Sequence, residues 1–247
     1  MGIQAGLRGF LRALYPPQCI SCETMVDAEF ALCPACWRET PFVAGLCCDK
    51  CGIPLPGQEA PGSIVLCDDC LRIARPWARG RAVMMYGGKG RSLVLALKHG
   101  DRTDLARPAG IWLARAAAPI LLPGMIVAPV PLHWLRLAKR RYNQAALLSA
   151  RLARETGLGH VPDLLVRRRA TGTQDGKSRD GRFANVAQAL SLHPRHAATV
   201  AGRPVLLVDD VMTSGATLAA AADAILAAGA GPVHVITLAR VGHDGGV

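Results

Sequence analysis

The thirteen residues Val205-Leu206-Leu207-Val208-Asp209-Asp210-Val211-Met212-Thr213-Ser214-Gly215-Ala216-Thr217 run from apolar side chains through two carboxylates into small hydroxyl residues around a glycine. Four consecutive apolar residues suit a strand buried on both faces of a parallel sheet. Such a strand ends at the carboxyl edge of the sheet, which is where open α/β folds bind their ligands. Thr213, Ser214, Gly215 and Thr217 follow at once, and a helical pattern begins. Over Thr217 to Ala228, Leu218, Ile225 and Leu226 recur on one face, and Gly229 stands where a C-cap is expected. Small residues at a helix N-terminus let backbone amides surround a phosphate, while the helix dipole adds favourable charge. The segment reads as a cradle for one phosphate. It lacks the lysine and spacing of a Walker loop and the three glycines of a dinucleotide site.

Two carboxylates beside such a cradle repel each other and the ligand. They make sense if Asp209 and Asp210 face hydroxyls or a metal, accepting hydrogen bonds from vicinal ribose hydroxyls directly or through Mg2+. The loop would then hold the 5-phosphate of the same sugar. The plainer alternative is an acid pair that caps the next helix.

Working outward, apolar runs of strand length alternate with helical patterns from residue 80 onward, so an α/β domain with a mainly parallel sheet is expected over residues 80–247. The strand candidates are Arg81 to Tyr86, Ile126 to Val130, Leu164 to Arg167, Val205 to Val208 and Val233 to Leu238, and Asn143 to Arg154 reads as a helix. The polar, glycine-rich stretch from Arg169 to Arg179 is long for a simple connection. Its plain reading is a disordered surface loop.

All nine cysteines lie between residues 19 and 70, which sets residues 1–79 apart as a second unit. Eight fall into pairs with two residues between partners: Cys19 and Cys22, Cys33 and Cys36, Cys48 and Cys51, Cys67 and Cys70; Cys47 is spare. Two thiolates at this spacing can point at one metal, and two pairs complete a closed four-cysteine Zn2+ site that stabilises a small fold without taking part in catalysis. Disulfides would need an oxidising compartment, and the spacing does not match iron-sulfur ferredoxins. Spacing leaves open whether consecutive or interleaved pairs share a metal.

Of 247 residues 51% are hydrophobic and 19% charged, a soluble globular composition that excludes a disordered or fibrous chain. The longest uncharged apolar run, Ala116 to Leu132, is broken by Pro119, Pro123, Pro129 and Pro131, so no membrane span is expected. Met1 to Leu14 carries Arg8 and Arg12 among its apolar positions and reads as a short amphipathic helix of a cytoplasmic protein, not a signal peptide. The formal charge of +11 implies an anionic partner. Residues 1–79 hold seven cations against eight anions, so the excess, and any anion binding, belongs to the second unit.

The segment Val205 to Thr217 resembles, position for position, the phosphoribosyl-pyrophosphate (PRPP) binding motif of type I phosphoribosyltransferases. The resemblance extends to the ComF family, which couples a double zinc ribbon to such a transferase domain. It is carried by the paired cysteines, Leu97-Lys98-His99-Gly100, Val127-Ala128-Pro129-Val130-Pro131-Leu132, Arg140-Arg141-Tyr142-Asn143-Gln144 and the run from Gln174 through Arg182 to Asn185. Two positions depart from that pattern: Arg141 replaces a glycine and Leu190 a phenylalanine.

The resemblance implies a type I phosphoribosyltransferase fold with a parallel sheet and a hood, the hood closing to keep water from PRPP. It implies PRPP held by residues Val211, Met212, Thr213, Ser214, Gly215, Ala216 and Thr217, with Mg2+, and Asp209 and Asp210 in the catalytic site. Arg136, Lys139, Arg140 and Arg141 would form a pyrophosphate loop, for each of which a solvated surface role is the competing reading. Lys98 would be a further pyrophosphate ligand, and Arg182 and Asn185 would support the site. The implied reaction moves phosphoribosyl to an unknown acceptor with release of pyrophosphate. A glutamine-dependent amidotransferase is disfavoured, since residue 2 is glycine and about 79 residues are too few for a glutaminase domain. The alternative is a non-catalytic adaptor of natural transformation, binding single-stranded DNA on the transferase unit and docking a competence helicase through the zinc unit, with PRPP as regulator.

Overall fold

The structure, a computed structural model, describes residues 15–58, 62–132, 142–167 and 189–242. Its strands are β1 (Arg79–Met85), β2 (Ile126–Pro129), β3 (Gly159–His160), β4 (Leu165–Arg167), β5 (Leu190–Leu192), β6 (Val205–Met212) and β7 (Val233–Arg240). Five of them form a sheet in the order β1-β7-β6-β2-β3, every neighbouring pair parallel, while β4 and β5 make a separate antiparallel pair. The helices are α1 (Pro34–Glu39), α2 (Asp68–Arg72), α3 (Gly88–His99), α4 (Ala106–Ala117), α5 (Gln144–Thr156), α6 (Ala197–Val200) and α7 (Ala216–Leu226). None in the described residues is long and apolar enough to cross a membrane.

The apolar run of β6 is explained by burial on both faces. Leu206 and Val208 join Leu97 of α3, Leu113 of α4 and Leu148 of α5 in one core. Val205 and Leu207 join Leu218 and Ile225 of α7, Leu165 and Leu190 of the β4–β5 pair, and, unexpectedly, Cys48, Cys51, Cys67, Cys70 and Trp77 in the other. From β2 the sheet extends outward to β3, and from β6 it extends the opposite way to β7. The order therefore reverses between β2 and β6, and a crevice opens there at their carboxyl ends.

Register decides what lines that crevice. Pairing of β2 with β6 stops at Pro129 opposite Val208, whereas β6 and β7 stay paired as far as Met212 opposite Arg240. The expectation that the strand ends at Val208 is thus corrected: β7 supplies partners through residue 240, and Asp209 to Met212 extend past β2, with no strand partner on that side among the described residues. Two other expectations change. Leu164 to Arg167 contributes only to the β4–β5 pair, outside the main sheet. Helix α7 ends at Leu226 with Ala227 as its cap, and Gly229, at φ +82°, turns the chain two residues later. Asn143 caps α5, its side chain accepting from the amide of Ala145. Met1 to Leu14, the basic loop with Arg136 and Lys139 as well as Arg140 and Arg141, and the 168–188 stretch with Arg182 and Asn185 lie outside the described residues.

Strand β1 would expose an unpaired edge, a common site of unwanted pairing. The cysteine-rich unit covers it: Met85 donates to the Pro41 carbonyl (2.8 Å), Val43 to Val83 (2.9 Å) and Gly80 to Asp49 (2.7 Å). Asp49 also accepts from Arg79 and from Arg81 (2.8 Å). This approach tolerates no side chain at Gly80, where a Cβ would lie 2.3 Å from the Lys50 carbonyl oxygen. Gly80→Ala should therefore lower unfolding free energy by about 2–3 kcal/mol through overpacking. Gly159→Ala, whose Cβ would make an ordinary 3.7 Å contact with Ile126, should change it by less than about 0.5 kcal/mol in the same denaturant titration.

Candidate functional site

Consecutive cysteine pairs come together. The sulfurs of Cys19, Cys22, Cys33 and Cys36 lie within 4.8 Å of one another, and so do those of Cys48, Cys51, Cys67 and Cys70. Hydrogen-bonded sulfurs of different pairs, Cys22 with Cys33 and Cys51 with Cys67, stand 3.6 Å apart. That is far beyond a disulfide and close to the roughly 3.8 Å edge of a tetrahedron with Zn–S bonds of about 2.3 Å. Short elements aim the ligands. The thiol of Cys33 caps α1, accepting from the Cys36 amide, and the Cys67 backbone opens α2 and accepts from the amides of Cys70 and Leu71. In the buried second tetrad, hydrogen bonds from Cys51 and Cys70 drive Cys48 strongly toward thiolate, while bonds to Cys48 and Cys51 hold Cys70 strongly protonated. A dication relieves that competition by accepting all four thiolates.

Beyond Met212 the chain turns through Thr213, Ser214 and Gly215 into α7, around a small open concavity lined by Asp209 and residues 211–218. Gly215 at φ +80° starts the helix. Strand alternation sends the two carboxylates to opposite faces. Asp209 faces the concavity, and Asp210 meets Lys98 near the end of α3, Nζ to Oδ1 3.2 Å. Asp209 is half-buried and, among the described residues, its carboxylate accepts only the Asp210 amide (2.9 Å). Burial pushes its carboxyl up to about 7, the Asp210 charge adds to that, and the charges of Lys98 and Arg167 oppose it. A half-buried acid short of counter-charge, next to amides at a helix N-terminus, suits hydroxyl donors or a Mg2+ ion beside a phosphate.

The motifs from residues 97–100 and 142–144 meet. Tyr142 donates its hydroxyl to the Leu97 carbonyl (2.7 Å), Gln144 donates to the Lys98 carbonyl (3.5 Å), and Asn143 donates to the Val130 carbonyl (3.2 Å). Lys98 is thereby held beside Asp210, and Asn143 is tied to the residue that follows β2. Sequence reasoning missed three arginines. Arg167, at the end of β4, donates to the Pro131 carbonyl (3.5 Å) and acts electrostatically on Asp209. Arg240 donates to the carbonyls of Met212 (3.2 Å) and Thr213 (2.6 Å), and Arg75 to that of Ser214 (2.5 Å). Position at the carboxyl end of a strand was a signal for Arg167 and Arg240; nothing in the sequence marked Arg75.

Residues 10–77 match the double zinc ribbon domain family and residues 112–247 the phosphoribosyl transferase domain family. The chain is 33% identical over 218 residues to DNA utilization protein YhgH of Escherichia coli, covering 86% of this chain and 91% of that protein. It is 30% identical over 233 residues to Competence protein F of Haemophilus influenzae, covering 90% and 96% respectively. Among solved structures it is similar to a glutamine PRPP amidotransferase from B. subtilis complexed with ADP and GMP, at 20% identity and TM-score 0.40, over 58% of this chain and 30% of that one.

Purified protein should carry about two zinc ions per chain by elemental analysis, one for each tetrad. Cys33→Ser and Cys70→Ser should each remove about one, and Cys47→Ala none; equal losses in all three would contradict the pairing described above.

Proposed function

The chain belongs to the ComF family, a double zinc ribbon followed by a phosphoribosyltransferase domain, and from that premise we propose that it binds PRPP with Mg2+ and transfers phosphoribosyl to an acceptor, releasing pyrophosphate. The observation that carries this reading is the projecting end of β6, which brings Asp209 to the concavity at the N-terminus of α7 on one side of the switch-point crevice.

In this reading the amides of the 213–217 loop hold the 5-phosphate, and Asp209 and Asp210 accept hydrogen bonds from the ribose hydroxyls. Lys98, already paired with Asp210, meets pyrophosphate together with Arg140 and Arg141, while Arg182 and Asn185 support the site from beyond the hood stretch. When bound, Mg2+ supplies charge neutralisation for pyrophosphate as a leaving group. The bond from C1 of the ribose to the pyrophosphate oxygen breaks with its electron pair leaving on oxygen, and an acceptor lone pair bonds C1. Cations placed around the departing oxygens stabilise that charge in the transition state. We also place the protein in the cytoplasm, because cysteines arranged as metal tetrads suit a reducing compartment. We keep the boundary between the two units at residues 79 and 80, one residue into β1.

A second reading is favoured by the relatives' names, which speak of DNA utilization and competence. It makes the chain an adaptor for single-stranded DNA and a DNA-uptake helicase, with PRPP as regulator.

Calorimetric titration should show PRPP binding in the presence of Mg2+, and Asp209→Asn combined with Asp210→Asn should weaken it at least about tenfold, or 1.4 kcal/mol. Unchanged affinity would return the pair to a capping role. Single-stranded DNA binding, if it uses the cationic loop after β2, should fall steeply with salt and be displaced by PRPP; affinity insensitive to both would remove the shared-surface reading.

A further inference from the structure

Arg75 and Arg240 are buried, at 8% and 3% exposure, and among the described residues neither meets a carboxylate. Burying a guanidinium away from carboxylates is expensive, so one in this setting has a structural reason to be there. Arg240 Nη1 donates in part to the carbonyl of its neighbour Val241 (2.6 Å), and the remaining hydrogen bonds of the two side chains converge on one segment. Arg240 Nη1 donates to the carbonyls of Met212 and Thr213, and Arg75 Nη1 donates to that of Ser214, so three consecutive peptide oxygens of the loop are drawn to the same side.

A trans peptide is planar, with its N–H opposite its C=O. With the carbonyls of residues 212–214 held on the guanidinium side, the amides of Thr213, Ser214 and Gly215 face away from Arg75 and Arg240, neither of which lines the concavity. The approach is close enough to select the residue: a Cβ on Gly215 would lie 2.6 Å from Arg75 Nη1 and 3.1 Å from Trp77 Cη2.

Arg75 reaches the loop from the zinc unit. Its guanidinium sits over the Trp77 ring, 5.3 Å from the centroid. Trp77, fully buried, donates Nε1 to the Lys50 carbonyl (2.6 Å) and accepts from Lys50 Nζ on its own carbonyl (2.5 Å). Lys50 lies between the ligand pair Cys48 and Cys51. A continuous chain of packed and hydrogen-bonded groups thus runs from the second tetrad through Lys50, Trp77 and Arg75 to the Ser214 carbonyl.

We propose that Arg75 and Arg240 are positioning residues that set the amides of the 213–215 loop for phosphate, and that through Arg75 the second four-cysteine centre is a working part of the phosphate site. The phosphate half of this inference rests on the PRPP reading above. The loop-ordering half does not.

The test uses the full-length, zinc-loaded protein and its Arg75→Ala, Arg75→Gln and Arg75→Lys variants, compared by PRPP titration with Mg2+ and by hydrogen exchange of the 212–218 amides. Arg75→Ala should bind PRPP at least about tenfold more weakly than wild type and exchange its loop amides faster, with both zinc ions retained. Arg75→Lys, which keeps charge and a donor, should recover part of the affinity, and Arg75→Gln less. If Arg75→Ala does not fold, Arg75→Gln carries the comparison. Wild-type affinity and wild-type exchange in the folded variants would overturn the proposal. If wild type itself does not bind PRPP, the functional reading fails separately, and loop exchange alone decides: faster exchange in the variants keeps the positioning role, and unchanged exchange ends it.

Discussion

Four thiols, from Cys48, Cys51, Cys67 and Cys70, sit in the same hydrophobic core as strand β6 and helix α7. Their packing there constrains much of the remaining structure. A cluster of sulfurs has little apolar area of its own, and a metal that fixes four thiolates at one point stabilises a small fold with little core. Here that fixed point lies under the sheet instead of in a separate lobe. The knuckle between Cys48 and Cys51 fastens Asp49 to Arg79 and Arg81 and Lys50 to Trp77, so the start of β1 and the segment before it are held in place by residues enclosed between two metal ligands.

Charge is distributed to match. Two adjacent carboxylates at the end of β6 are tolerable because strand alternation separates them: Asp210 crosses to Lys98 on the α3 side, and Asp209 stays at the concavity with its carboxyl raised by burial. On the opposite side of the loop, Arg75 and Arg240 occupy the carbonyls. One acid thus stands at the concavity and the other against Lys98, while the two cations hold the carbonyls of the loop. Neither arrangement follows from net charge, which merely locates the positive excess in the second unit.

The crevice itself comes from register. Because β2 stops at Pro129 while β6 and β7 continue together, the end of β6 has a strand partner on one side alone among the described residues. The ties from Tyr142, Asn143 and Gln144 to α3 and β2 then bring motifs some 45 residues apart in the chain to one edge of the sheet. Docking of residues 41–43 along β1 closes the far edge, so the sheet is open at its carboxyl end and covered where pairing with another chain would be harmful.

Local sequence was enough wherever local chemistry decides. The run Val205 to Val208 announced a buried parallel strand, Thr213 to Thr217 a turn into a helix, Asn143 a helix start, and the paired cysteines two clusters of metal-ligand type, because each depends on residue type and short spacing. Three things were decided only by tertiary structure. Which cysteine pairs share a site depends on where their loops converge. The length of β6 depends on its neighbour, since hydrogen bonds from β7 extend it through Met212 when its own composition marks an end at Val208. The place of Arg75 depends on burial: one arginine among 24 in the sequence is distinguished only when Trp77 and the Ser214 carbonyl close around it. Spacing along the chain fixes which atoms can be neighbours within a turn; which distant carbonyl a guanidinium reaches is set by packing.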